Sequence, residues 1–232
     1  MIRAIFFDSN MNSWMEMINP VQTYVACDRK DVPEILDIVD NSSKEGLYVA
    51  GFVSYEAASS FDSALKHQEP NDIPLAWFTE FRATSPFELT QNDDAIELFP
   101  VTDGESFMGS VSRIKDFLES GDVYQVNLTQ KLRGDLKNSA TDIFSRLVRN
   151  QPSPYAMLLE SDDFSICSAS PELFFSKRGK VIEMQPMKGT RERGRFNEED
   201  QKNKEDLKTS EKDRAENLMI LDMVRNDLGK VC

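Results

Sequence analysis

Histidine is almost missing from this chain. Its one copy, His67, sits in the polar run Lys-His-Gln-Glu at 66–69. In that polar setting it reads as a solvated surface residue, which argues against His-based zinc sets and nucleophile–His relays. Cysteine is scarce too. Cys27, Cys167 and Cys232 are odd in number, far apart and in no metal-ligand spacing, the pattern of reduced thiols in a cytoplasmic protein. No apolar run approaches the roughly 20 residues of a membrane span. The opening Met-Ile-Arg-Ala-Ile-Phe-Phe meets Asp8 before a signal-peptide apolar region can form. Positive charge is also in deficit, with 27 Lys and Arg against 40 Asp and Glu and a formal net charge of −13. That balance argues against nucleic-acid or anionic-membrane partners. An anionic substrate would need a local cationic island or a metal.

What is present suits a globular chain. At 232 residues, 40% hydrophobic and 29% charged, it can bury a sizeable core in one large domain or two small ones. The first 95 residues mix strand-like runs, such as 47–55, with a helical pattern at 32–39. The polar stretch 83–94 reads as a connection, so the expected domains are 1–95 and 96–232. In the second, Phe107, Val111, Ile114 and Phe117 recur at helical spacing before Gly121. Residues 124–132 alternate cleanly and predict a strand with one wet face. A short helix is expected at 141–149, then strands at 155–159 and 164–169. From 191 to 208 nearly every residue is polar or charged, which predicts a solvated loop or mobile segment. Ser210 and Asp213 resemble a capping box opening a final helix that reaches Gly229. The fold class expected is α+β, with mixed, largely antiparallel sheets and interposed helices.

Candidate chemistry gathers in the second half. Ser-Ala-Ser-Pro-Glu at 168–172 and Gln-Pro-Met-Lys-Gly-Thr-Arg at 185–191 flank two β-prone runs separated by Lys-Arg-Gly-Lys at 177–180. A turn centred on Arg178 and Gly179 brings Glu172 and Lys188 to the open end of one hairpin. Their expected offset is three residues, roughly 10 Å, enough to flank one small substrate. A lysine gains nucleophilic character through burial or nearby cations, and Arg191 and Arg193 are close in sequence. An exposed strand-end lysine is the plainer reading. Gly189 would let a ligand approach the backbone, and Thr190 could bond it. On the last helix Asp213 and Glu216 share a face, a pairing suited to magnesium, and Asp222 is embedded in the apolar run 218–224 of an otherwise buried helix, where a carboxylate is costly unless paired. For Glu216 and Asp222 the plainer reading is pairing with Arg214 and Arg225, or capping of a neighbouring backbone.

These motifs, together with Gly-Asp-Val-Tyr-Gln-Val-Asn-Leu-Thr-Gln at 121–130, Asp-Arg-Ala-Glu-Asn at 213–217 and Asp-Met-Val-Arg-Asn-Asp-Leu-Gly at 222–229, resemble in one order the chorismate-binding enzymes. The closer resemblance is to the branch that aminates the ring at carbon 4. The first 95 residues, with Gly-Phe-Val-Ser-Tyr-Glu at 51–56, resemble the N-terminal part of shorter members. The resemblance implies the N-terminal part of the chorismate-utilising fold, magnesium as cofactor, chorismate and ammonia as substrates, and a glutamine amidotransferase component as partner. It implies Lys188 as nucleophile, Glu172 as general acid, Gly189 and Thr190 at the substrate, Glu216 as metal ligand and Asp213 in the metal's outer shell. Anthranilate-forming relatives usually carry a small residue where Lys188 stands, and isochorismate formers lack this lysine. The resemblance also implies that Cys232 falls near the middle of the catalytic domain, with a second metal glutamate beyond it. A chain of this extent is then expected to be inactive alone, or to act as a silent fragment or interaction module. Anthranilate synthesis remains the alternative chemistry.

Overall fold

Arg3–Asp8 (β1) and Ser13–Ala26 (β2) open the computed structural model as an antiparallel pair; residues 2–67, 73–92 and 96–232 are described. The Asp8 carboxylate accepts the backbone N–H groups of Asn10 and Met11 at 2.8 and 3.2 Å, an Asx turn. β2 outruns β1 and continues alone beside a later strand. Pro20 lies in that one-sided stretch, at a register shift, where a missing N–H costs the ladder least.

Asp31–Lys44 (α1) buries Val32, Ile35 and Val39 at helical spacing against Ala26, Leu75 and Ala76. Tyr48–Val53 (β3) and Ala76–Pro86 (β4) follow. The expected connection at 83–94 is therefore strand up to Pro86, because β2 supplies partners as far as that residue; positions 93–95 lie outside the described residues. His67 is not merely solvated. It is half-buried, and its Nε2 lies 2.7 Å from the Ser59 hydroxyl.

The chain divides into two compact units, Met1–Glu88 with Leu147–Cys232, and Leu89–Arg146. The expected boundary at residue 95 falls outside the described residues. The smaller unit holds Phe99–Pro100 (β5), Gly104–Glu119 (α2) and Leu132–Arg133 (β6), and Ala140–Asn150 (α3) spans the division. Asp103 caps α2 by accepting the Ser106 N–H at 2.8 Å, and Gly121 ends it at φ +78. The strand expected over 124–132 shrinks to β6, which pairs only with β5, and Tyr124 is 84% exposed. Alternation sets which face is apolar, but a strand also needs a neighbour's backbone, and here that contact sits at the Lys131 end, whose carbonyl accepts the Val101 N–H at 2.9 Å.

Tyr155–Glu160 (β7), Ser165–Ser170 (β8), Ser176–Arg178 (β9), Val181–Glu183 (β10), Asn197–Thr209 (α4) and Glu211–Val231 (α5) complete the larger unit. β1 pairs with β7, giving a six-stranded sheet ordered β3-β4-β2-β1-β7-β8, antiparallel throughout. Arg3 bridges Glu16 and Glu160 across its three central strands. Ala4, Trp77, Phe81 and Leu159 are buried on the sheet, and the Phe164 ring meets Trp77 edge-on at 5.9 Å. Fully burying each large apolar side chain contributes about 1.5–3 kcal/mol.

Two expectations about the last third are overturned. Residues 191–208 are not a loop throughout, since α4 occupies most of them. Glu198, Glu199 and Asp200 in its first turn suit the positive end of the helix dipole, so charge does the work that apolar periodicity normally does. The run 218–224 is not embedded: α5 buries no residue, and the Asp222 side chain is 64% exposed and paired with Arg225 at 3.3 Å. No helix among the described residues is long and apolar enough to cross a membrane.

Candidate active site

The hairpin β9–β10 sets the geometry. Its register pairs Arg178 with Val181 and Ser176 with Glu183, so the turn is Gly179-Lys180, with Gly179 at φ +61. The turn lies one residue later than expected. Extending the register places Glu172 opposite Met187, so Glu172 and Lys188 are offset by one position rather than three. A direct bond fixes this: the Met187 N–H donates to Glu172 Oε1 at 2.9 Å. Ser170 shapes the approach to Glu172, its hydroxyl donating to the Glu172 carbonyl at 3.0 Å. The Ser170 carbonyl in turn accepts from the buried Ser153 hydroxyl.

Glu172 is exposed and borders a cavity of about 470 Å³. Met184 and Pro186 line it from the hairpin, Ile220 and Val224 from α5, with Asp227 on the same wall. A carboxylate at the mouth of an apolar hollow can hold or deliver a proton to a group seated there.

Lys188 follows Met187, is half-buried, and makes no ion pair among the described residues. The next residue explains how its segment is held. Gly189 takes φ +82, and a Cβ there would lie 3.0 Å from both Asp213 Cβ and Leu207 Cδ1. Only glycine lets the chain pass this close to α4 and α5 in that conformation. Arg191 then donates to Asp213 at 2.6 Å and to the Thr190 carbonyl at 2.9 Å, and Thr190 itself is exposed. The Ser210 hydroxyl, and after it Arg191, hold the Asp213 carboxyl below the usual carboxylate range against the opposing effect of burial. Ser210 caps α5 as expected, accepting the Asp213 N–H at 3.3 Å.

Glu216 lies one turn along α5 from Asp213, partly exposed, with Lys212 Nζ 3.9 Å away. No group of three or more His, Cys, Asp or Glu that could hold a metal occurs among the described residues. The donor set still fits magnesium in one respect, since that ion commonly takes one or two protein carboxylates and completes its shell with water and substrate oxygens. Glu216 can supply one such carboxylate. Asp213, already engaged by Arg191, suits a neighbouring position instead. The plainer pairing reading holds for Asp222 with Arg225, whereas the cation beside Glu216 is Lys212 and not Arg214.

Sequence reasoning missed a buried carboxylate, Asp200, that grips Arg193 and Gly194. Its signal was Arg-x-Arg-x-Arg at 191–195 running into the acidic turn at 198–200.

The chain belongs to the chorismate binding enzyme family, whose model matches residues 80–232. Within it, the chain is 40% identical over 169 residues to aminodeoxychorismate synthase component 1 of Bacillus subtilis, a match covering 71% of this chain and 36% of that protein. It is 41% identical over 127 residues to anthranilate synthase component 1 of Aquifex aeolicus, covering 55% and 26%. The matches thus span about a third or less of these relatives' own length. In structure, 99% of the chain superposes on 60% of a Bacillus anthracis crystal structure named for a 2,3-dihydroxybenzoate-specific isochorismate synthase, with a TM-score of 0.69 and 19% identity. That likeness gives the fold: the chain has the α+β, antiparallel chorismate-utilising architecture.

Proposed function

We propose that this chain is part of an aminodeoxychorismate synthase component 1, which converts chorismate and ammonia to 4-amino-4-deoxychorismate. The observation that carries the reading is the Met187 N–H bond to Glu172. It sets the Glu172 carboxyl against the backbone of the residue preceding Lys188, which supports reading the two as parts of one site. In the proposed reaction the neutral Lys188 amine adds to ring carbon 2, the two conjugated ring double bonds shift along the ring, and the hydroxyl on carbon 4 departs with a proton from Glu172. Ammonia then adds at carbon 4, both double bonds shift back, and the lysine leaves carbon 2 as the neutral amine. Gly189 and Thr190 lie beside the amine and contact substrate. Glu216, with Asp213 as a neighbouring carboxylate, would hold magnesium, and the ion would supply positive charge to offset substrate carboxylates in a chain of net charge −13. A glutamine amidotransferase component supplies the ammonia.

The longer match to an aminodeoxychorismate synthase than to an anthranilate synthase supports this choice, as does a lysine at 188. The test is the native polypeptide assayed with chorismate, ammonia and magnesium, with products separated by chromatography. Aminodeoxychorismate is expected, and Lys188→Ala should abolish it without altering the thermal unfolding midpoint. Anthranilate as product, or full turnover in Lys188→Ala, removes the reading.

A further inference from the structure

We propose that Asp200 is a positioning residue for the Lys188 segment, a role that rests on the reading of Lys188 as the reacting amine. Asp200 sits in the first turn of α4 and is 8% exposed. Its carboxylate accepts Arg193 through Nε at 2.7 Å and Nη2 at 3.1 Å, the Gly194 N–H at 3.0 Å, and lies 3.4 Å from Lys204 Nζ. Gly194 comes so close to the helix that a Cβ there would fall 2.1 Å from the Asp200 nitrogen. The chain leaving Lys188 is therefore fastened in succession. Glu172 holds it at Met187, Asp213 at Arg191, and Asp200 at Arg193 and Gly194, while Gly189 packs closely against Asp213 and Leu207. Asn203 adds a bond to the Glu192 carbonyl at 2.9 Å. Lys188 and Thr190 fall between these points, so their backbone is fixed by neighbours while their side chains are left to a substrate.

The four donors to Asp200 are not equal. Arg193 is 85% exposed on its side chain, and an ion pair open to water contributes little. The bond to Gly194 joins a buried acceptor to a backbone N–H, and its loss leaves that N–H unpaired. Arg193 has the larger effect on the Asp200 carboxyl itself, but the Gly194 bond fixes the main chain directly, so the positioning role belongs to Asp200 rather than to the Arg193 pair.

In the native polypeptide, Asp200→Ala, Asp200→Asn and Arg193→Ala are compared by amide hydrogen exchange at 187–194, by kcat and KM for chorismate, and by thermal unfolding. Asp200→Ala should speed exchange at 187–194 and lower kcat about tenfold to a hundredfold, the scale of a small misplacement of a reacting group, with KM little changed. Asp200→Asn, which still accepts from Gly194, should recover most of both, and Arg193→Ala should change little. Unchanged exchange at 187–191 in Asp200→Ala, or a loosened segment with undiminished kcat, overturns the proposal. The exchange measurement needs no particular reaction. If the unaltered protein yields no aminated product, the functional reading fails, and unchanged exchange at 187–191 still overturns the clamp.

Discussion

The six-stranded sheet and the segment after it hold their shape by different means. On the sheet, Phe81, Leu158 and Leu159 are at most 1% exposed, and burial of apolar area carries the stability. From residue 172 onward the large apolar residues are largely exposed, among them Phe174 at 77% and Leu218 at 60%, and α5 buries nothing. There the chain is held by carboxylates gripping arginines and backbone N–H groups, and by glycines that allow close approach. The lesson is that apolar burial dominates the framework, where charge is confined to local pairs such as Arg3 with Glu16 and Glu160, whereas the region carrying Glu172 and Lys188 is governed by charge.

Perturbations of unequal size can break or sharpen this contrast. The largest effect on stability should come from Phe81→Ala, where loss of a fully buried ring costs about 3–5 kcal/mol, read as a lower denaturant midpoint; a cost under about 1 kcal/mol would deny the sheet its role as framework. Gly189→Ala should cost about 1–3 kcal/mol of backbone strain, and it presses on Asp213 and Leu207 at 3.0 Å. Its effect should appear as faster amide exchange in 186–191 with the sheet protected as before, and equal loosening of both regions would erase the distinction. The gentlest test is acid. The folded-state values of Asp200 and Asp213 are lowered, by Arg193 first in one case and by Ser210 and then Arg191 in the other. Their stabilisation is complete above the unfolded value of about 3.9 and is lost as pH falls through the folded values. On acidification exchange protection at 187–200 should fall before the fluorescence of Trp14 and Trp77, both on the sheet, responds. Simultaneous loss would show that the clamps are not separate from the core.

Much of this was legible in the residues themselves. α1 and α2 announced themselves by apolar spacing, β7 and β8 by strand-prone runs flanking Ser161-Asp162-Asp163, and the hairpin by its glycine. The antiparallel α+β class followed from their order. The hairpin was read one position early, because Arg178-Gly179 and Gly179-Lys180 both suit a tight turn and only the backbone register separates them. The alternation at 124–132 misled because a strand requires a partner. α4 was invisible to apolar periodicity, since of its residues only Leu207 is strongly apolar, and what orders it is a web of ion pairs. Asp222 was read as embedded because its sequence neighbours are apolar, but exposure depends on what packs against a helix, and nothing among the described residues covers that face.

The pairing of β1 with β7 also has a consequence in time. Arg3 and Glu160, side by side in the finished sheet, are 157 positions apart along the chain. At a synthesis rate of about 5–20 residues per second, β1 waits roughly 8–30 s after leaving the ribosome before its second neighbour exists. β2, β3 and β4 can assemble with it in the meantime, leaving β1 as an open edge of the kind that recruits stray strands. Arg3, beside Glu16 at 3.3 Å once β2 is paired, puts charge on that edge during the interval, the kind of residue that discourages edge-to-edge pairing.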